Sequence, residues 1–160
     1  MKVTLIEPQK YVSATNHAST VAMPPLGLAY IAASLEQAGY QVTIVDAFAM
    51  GLDRLTPFGP VFLRGASNDA AVASIPADTD LMGLACMFSC QWLATRLLLG
   101  DIKRRFPNIP LVMGGEHANA LPEFSMSQAP LDLVVLSAPS AAAQECGFSG
   151  GSLPHLHIRN

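Results

Sequence analysis

The sequence predicts an α/β fold: a Rossmann-like (flavodoxin-like), doubly wound sheet of five parallel strands in the order 2-1-3-4-5. Three observations predict it. Short β-rich runs alternate with stretches whose apolar residues recur at helical spacing. Those runs are apolar almost throughout, as in parallel strands buried on both faces. The 160 residues are also 51% hydrophobic and only 13% charged, with a mean hydropathy of +0.35.

The first strand is "KVTLIE", Lys2 to Glu7, ended by Pro8. A polar, irregular stretch from Gln9 to Met23 follows, and a loop of that length inside a domain is usually functional or disordered. Pro25 opens a helix in which Leu28, Ile31, Ala32 and Leu35 share a face, and Gly39 stops it. "QVTIVD", Gln41 to Asp46, is the second strand, and a right-handed crossover sets it parallel to the first.

Residues 47–79 are the least regular, interrupted by Gly51, Pro57, Gly59, Pro60, Gly65 and Pro76. A short helix is expected within "SNDAAVASI", capped by Ser67 or Asn68. "DLMGLAC", Asp80 to Cys86, is the third strand. Ser89 is the expected cap of a helix from Cys90 to about Phe106, its apolar surface supplied by Trp92, Leu93, Leu97, Leu99 and Ile102. "IPLVM", Ile109 to Met113, is the fourth strand, broken by Gly114 and Gly115. A short helix begins near Pro122, and "LDLVVL", Leu131 to Leu136, is the fifth strand. The expected division is therefore a domain over residues 1–136 and a flexible or atypical tail over 137–160, with a short extended segment within Leu153 to Ile158.

Composition narrows the function classes. A formal net charge of −3 leaves no basic stripe to displace phosphate counterions, so nucleic acid is not an expected partner. The cationic run Lys103-Arg104-Arg105 falls where a helix ends and complements its dipole. No apolar run long enough for a membrane span and no signal peptide is seen, which leads to the expectation of a cytoplasmic protein without a membrane partner. Three cysteines describe no disulfide framework. Asp46 has the position of a ribose-binding acid, but no G-x-G-x-x-G follows the first strand, which disfavours a dinucleotide.

Taken in order, "MKVTLIEPQ", "PPLGLAYIAASLEQAGYQVTIVDA", "DTDLMGLACMFS", "IPLVMGGEHANALPE" and "LDLVVL" resemble the N-terminal cobalamin-binding domain of B12-dependent radical SAM enzymes. The resemblance implies a corrin held across the carboxyl ends of the strands, with its nucleotide tail beside the sheet. It implies cofactor contacts from Pro25, Leu26 and Gly27 at the first helix, and from Met87, Phe88 and Ser89 after the third strand. Gly114, Gly115, Glu116 and His117 match the family's "GG-x-H" turn near the cofactor's tail. It further implies a radical SAM domain or protein as partner, in methyl transfer or related radical chemistry.

The chain departs from the pattern in two places. An acidic turn and a three-cysteine cluster do not follow the fifth strand; Cys86 and Cys90 are spaced C-x3-C with no third member, so no iron–sulfur cluster is expected. The D-x-H-x-x-G motif that supplies a lower histidine elsewhere is also missing, and His17 lacks its context. His155, His157 and Cys146 are read as part of the tail rather than as a metal site. Cys86 and Cys90 are read as small apolar residues of a buried strand and helix turn.

Three functional readings follow: a cobalamin-binding module; a stand-alone enzyme that reuses the cavity, with an acid or base among Glu7, Asp46, Glu116 and His117; and an interaction subunit, self-association included, with an empty pocket.

Overall fold

The computed structural model describes residues 1–13 and 23–136 and the backbone of Leu156–Ile158. Strand β1 (Lys2–Glu7) lies between β3 (Gln41–Asp46) and β6 (Leu81–Ala85); β7 (Leu111–Gly114) and β8 (Leu133–Val135) complete a parallel sheet in the order β3-β1-β6-β7-β8. This is the anticipated 2-1-3-4-5 order. Beyond β8 the segment Leu156–Ile158 adds β9 antiparallel, with His157 opposite Val134, so the sheet extends past Leu136. The extended stretch expected near the C-terminus includes this strand. His17, Cys146 and His155 lie outside the described residues.

The sheet's two faces are covered unequally. Ile6, Val45, Met82, Leu84, Leu111, Met113 and Val134 point to one face. There α2 (Asn68–Ala73), α3 (Trp92–Arg105), α4 (Glu116–Ala120) and α5 (Pro122–Gln128) bury them. On the other face α1 (Leu26–Gln37) packs Leu28 and Ala32 against Val3 and Leu5. Alternation along the strands places Gly83, Ala85, Val112, Gly114, Leu133 and Val135 on this second face, where all are half-buried.

Most local signals hold in three dimensions. Pro25 precedes α1, and Gly39 turns the chain at φ +86° into β3. Ser67 caps α2 by accepting a hydrogen bond from the Ala70 amide. Lys103, in the last turn of α3, donates to the Ile109 carbonyl at 2.8 Å and pairs with Asp132 at 2.7 Å, joining α3 to the strands that follow.

Three expectations are corrected. Ser89 does not cap α3; Ser89–Gln91 forms a 3-10 turn ahead of it, and the Ser89 hydroxyl bonds to His117. Leu93 and Leu97 do not face the core but are 48% and 47% exposed. The buried stripe runs instead through Trp92, Ala94, Thr95, Leu98, Leu99 and Ile102, and at about 100° per residue it leaves those two leucines outside. The irregular region is also partly ordered: β2 (Lys10–Val12), β4 (Leu55–Phe58) and β5 (Val61–Arg64) form a second, antiparallel sheet in the order β2-β5-β4. Gln9 fastens it to the main body by donating to the Ala66 carbonyl and to Asn68 Oδ1. Among the described residues no helix is long and apolar enough to cross a membrane.

Candidate functional site at the carboxyl edge of the sheet

In an open α/β sheet the ligand crevice lies beyond the carboxyl ends of the strands, where the strand order reverses. Here the reversal falls between β1 and β6. Next to it, the loops leaving β6 and β7 are bound to each other. The Cys86 amide donates to the Gly114 carbonyl at 2.8 Å, and the His117 amide donates to the Cys86 carbonyl at 3.1 Å.

Gly115 makes that approach possible. Its φ is +108°, and a Cβ there would lie 2.5 Å from the Cys86 carbonyl oxygen. Gly114 is different. Among the described residues, its chain neighbours aside, nothing comes nearer to its hypothetical Cβ than the Val135 carbonyl oxygen at 3.9 Å. Gly114 is the register partner of Ala85, and Gly83 is the partner of Val112. The carboxyl end of the α1-side face therefore carries its smallest side chains side by side, a notch in an otherwise branched surface.

Around the notch the edge is apolar and open. Met87 and Phe88 are 52% and 61% exposed, and Leu26 at the start of α1 is 62% exposed. Pro25 is half-buried beside it, while Gly27, Ser89 and Glu116 are exposed. Only His117, of the residues expected to meet a cofactor, is fully enclosed. Its ring is 2% exposed, stacks on Trp92 at 4.7 Å between centroids and shares a hydrogen bond with Ser89 (Nδ1 to Oγ, 2.9 Å). Its Nε2 is buried without a partner among the described residues.

Burial lowers the His117 pKa from its ordinary value, so the ring is neutral at pH 7. The sign for stability follows. The unfolded chain takes up the proton first, so the ring's contribution is full above about pH 6.5 and is lost as pH falls through the folded-state pKa. Urea unfolding midpoints are expected to drop between pH 7.5 and 5.5 in the wild type, and to drop less in His117→Phe. Equal slopes would show that the ring does not titrate.

Phe88 also lines, with Lys10, Tyr11, Met23, Phe48, Cys90 and Gln91, a cleft of about 330 Å³. Its wall is β2, which no local signal announced. The Lys10 ammonium sits 5.1 Å above the Phe48 ring and 3.2 Å from Glu7, so its charge is already engaged. Burial raises the pKa of Glu7, with Lys10 opposing the shift. Asp46, beside Glu7 in register, accepts from the Ala49 amide. Both carboxylates thus hold the fold at this edge, while Glu116 stands two strands away on the β7 loop.

The cysteine pair separates. Cys86 is buried with its pKa pushed up to about 11, chiefly by burial, whereas Cys90 is exposed in the cleft and not the buried residue expected. Iodoacetamide at pH 8 is therefore expected to modify Cys90 and spare Cys86 in peptide maps; reaction at Cys86 with the fold intact would contradict its burial.

A parallel sheet of this order, with a glycine-lined apolar notch where its strands end, defines an α/β ligand-binding module. Residues 13–145 match the B12 binding domain family, and the chain belongs to it. It is also similar to the cytidylyl-2-hydroxyethylphosphonate methyltransferase of Streptomyces wedmorensis, 34% identical over 116 residues that take in 70% of this chain and 22% of that protein. The chain thus spans about a fifth of the length of this curated relative, in line with the 22% covered.

Cobalamin is accordingly the cofactor of this domain. The residues present fit it: the edge offers an apolar surface at Met87 and Phe88, and among the described residues no atom beyond the chain neighbours comes within 3.9 Å of a Cβ placed at Gly114. The notch could have been sought in the sequence as small residues at matching strand positions, Gly83-x-Ala85 and Gly114. Nothing local marks which of the two adjacent glycines leaves space for a ligand.

Proposed function

We propose that this chain is the cobalamin-holding module of a methyl-transfer system whose catalytic chemistry resides in a radical SAM domain or protein. The family and the methyltransferase relative support cobalamin and methyl transfer. The radical SAM partner rests on the motif order from "PPLGLAYIAASL" to "GGEHANALPE". The observation that carries the reading is the space left at Gly114 by the described residues, together with the exposed Met87 and Phe88 on the adjoining loop.

When bound, cobalamin supplies a cobalt centre able to carry a methyl group between donor and acceptor. The chain's own residues have simpler tasks. Met87, Phe88 and Leu26, with Pro25 and Gly27 beside them, present apolar surface to the corrin and exclude water from its edge. Gly114, with Ala85 beside it, admits the nucleotide tail along the α1-side face, while Gly115 shapes the turn. Ser89, Glu116 and the loop amides near them are placed to meet the polar side groups of the ring. Cobalamin is held without a histidine from the D-x-H-x-x-G motif.

The stand-alone enzyme is the weaker reading, because Glu7 and Asp46 are engaged in an ion pair and a backbone cap. The test is anaerobic mixing with hydroxocobalamin, desalting and an ultraviolet–visible spectrum. Corrin bands retained at about one equivalent are expected; a colourless protein that is folded by circular dichroism would refute the proposal. Methyl transfer is tested by adding a low-potential reductant that takes the bound cobalamin to cob(I)alamin, and supplying in trans a radical SAM methyltransferase that lacks its own cobalamin domain. Label from methyl-labelled S-adenosylmethionine retained with the desalted module is expected, and none with cobalamin bound would remove that part.

A further inference from the structure

His117 is the one residue of the "GGEH" turn whose side chain points inward, and its amide and ring lead to the neighbouring loop and the helix after it. The amide of His117 holds the Cys86 carbonyl, its Nδ1 holds Ser89, and its ring lies on Trp92, the first residue of α3. Cys86 and Ser89 are the two ends of the four-residue stretch that contains Met87 and Phe88. Those two side chains gain nothing from the core, at 52% and 61% exposure, so packing alone does not fix where they stand. A loop that carries large apolar groups into solvent needs its ends tied to keep one shape.

We infer that His117 is a positioning residue: it clamps both ends of the Cys86–Ser89 loop so that Met87 and Phe88 are preformed for the cofactor. It acts through Ser89 and Trp92 rather than by touching the corrin. The inference rests on the proposed placement of cobalamin against this loop. Preorganisation of this kind raises affinity by removing the entropy cost of ordering the loop on binding.

Burial of a ring nitrogen without a partner normally costs stability. The enclosed Nε2 is thus a liability for packing alone, whereas Nδ1 has a defined task. The variants follow from that division. An asparagine amide reaches the position of Nδ1 and can keep the Ser89 bond; a phenylalanine keeps the stack on Trp92 and loses the bond.

The experiment compares wild type, Ser89→Ala, His117→Phe, His117→Asn and the Ser89→Ala/His117→Phe double variant, each checked for a cooperative melt. Two readouts are taken: hydroxocobalamin affinity, and amide hydrogen exchange of residues 87–89 in the free protein. Ser89→Ala and His117→Phe are each expected to bind about tenfold more weakly and to exchange faster at 87–89. The double variant is expected to be no worse than either, and His117→Asn to recover to within about threefold of wild type.

Additive losses in the double variant, or His117→Asn as weak as His117→Phe, would overturn the inference. So would unchanged exchange in Ser89→Ala and His117→Phe. If the wild type took up no cobalamin, the proposed function would fail, while the exchange data would still decide whether His117 holds the loop.

Discussion

Gly115→Ala is expected to be strongly damaging, lowering folding stability by about 3 kcal/mol or more. Two costs combine. The backbone at φ +108° lies in a region that L side chains rarely adopt, and the new Cβ would stand 2.5 Å from the Cys86 oxygen and 2.8 Å from its carbonyl carbon. Both neighbours are backbone, so no rotamer change relieves the contact. Moving it apart would break the His117 amide bond to Cys86 and spread the β6 and β7 loops. Urea unfolding of the purified variant measures the loss; a midpoint within error of wild type would show that the two loops are not in contact.

The adjacent substitution is expected to behave in the opposite way. Gly114→Ala places its methyl 3.9 Å from the nearest atom of the described residues outside its chain neighbours, in a strand where alanine also lowers the entropy of the unfolded chain. Stability is expected to stay within about 1 kcal/mol of wild type or to rise slightly. Cobalamin affinity is nevertheless expected to fall about tenfold, because an added methyl in a close-packed contact costs about 1–3 kcal/mol. Titration with hydroxocobalamin, following the corrin absorbance, reads the difference. Undiminished affinity would mean that the nucleotide tail does not use the notch beside Ala85, and would move the cofactor elsewhere on the edge. Together the two variants test whether Gly115 serves the fold while Gly114 serves the proposed ligand site.

Residue by residue, legibility follows the range of the interaction. The start of α1 at Pro25 and the turn at Gly39 rest on local backbone chemistry, as does the Ser67 cap. The strand Gln41–Asp46 was readable to the residue. Motif order also led to the loops that meet at the carboxyl edge, since ligand sites in open parallel sheets lie there whatever the details. The antiparallel sheet of β2, β4 and β5 was hidden because its strands are short and pair Lys10–Val12 with residues some fifty positions away, such as Arg64 opposite Lys10. Its wall of the cleft, Lys10 and Tyr11, was hidden with it. The phase of α3 was misread because leucines occupy both its inner and outer faces, and apolar spacing alone does not say which stripe meets the sheet.

By itself the sequence determined the five-strand parallel order and the main helices, because period, caps and breakers act within a few residues. Only the tertiary structure decided that Gly115 is held by Cys86 while Gly114 is free, that His117 turns inward to Ser89, and that Cys90 is exposed. Each of these depends on how closely two backbones approach across the sheet, a distance no local pattern encodes.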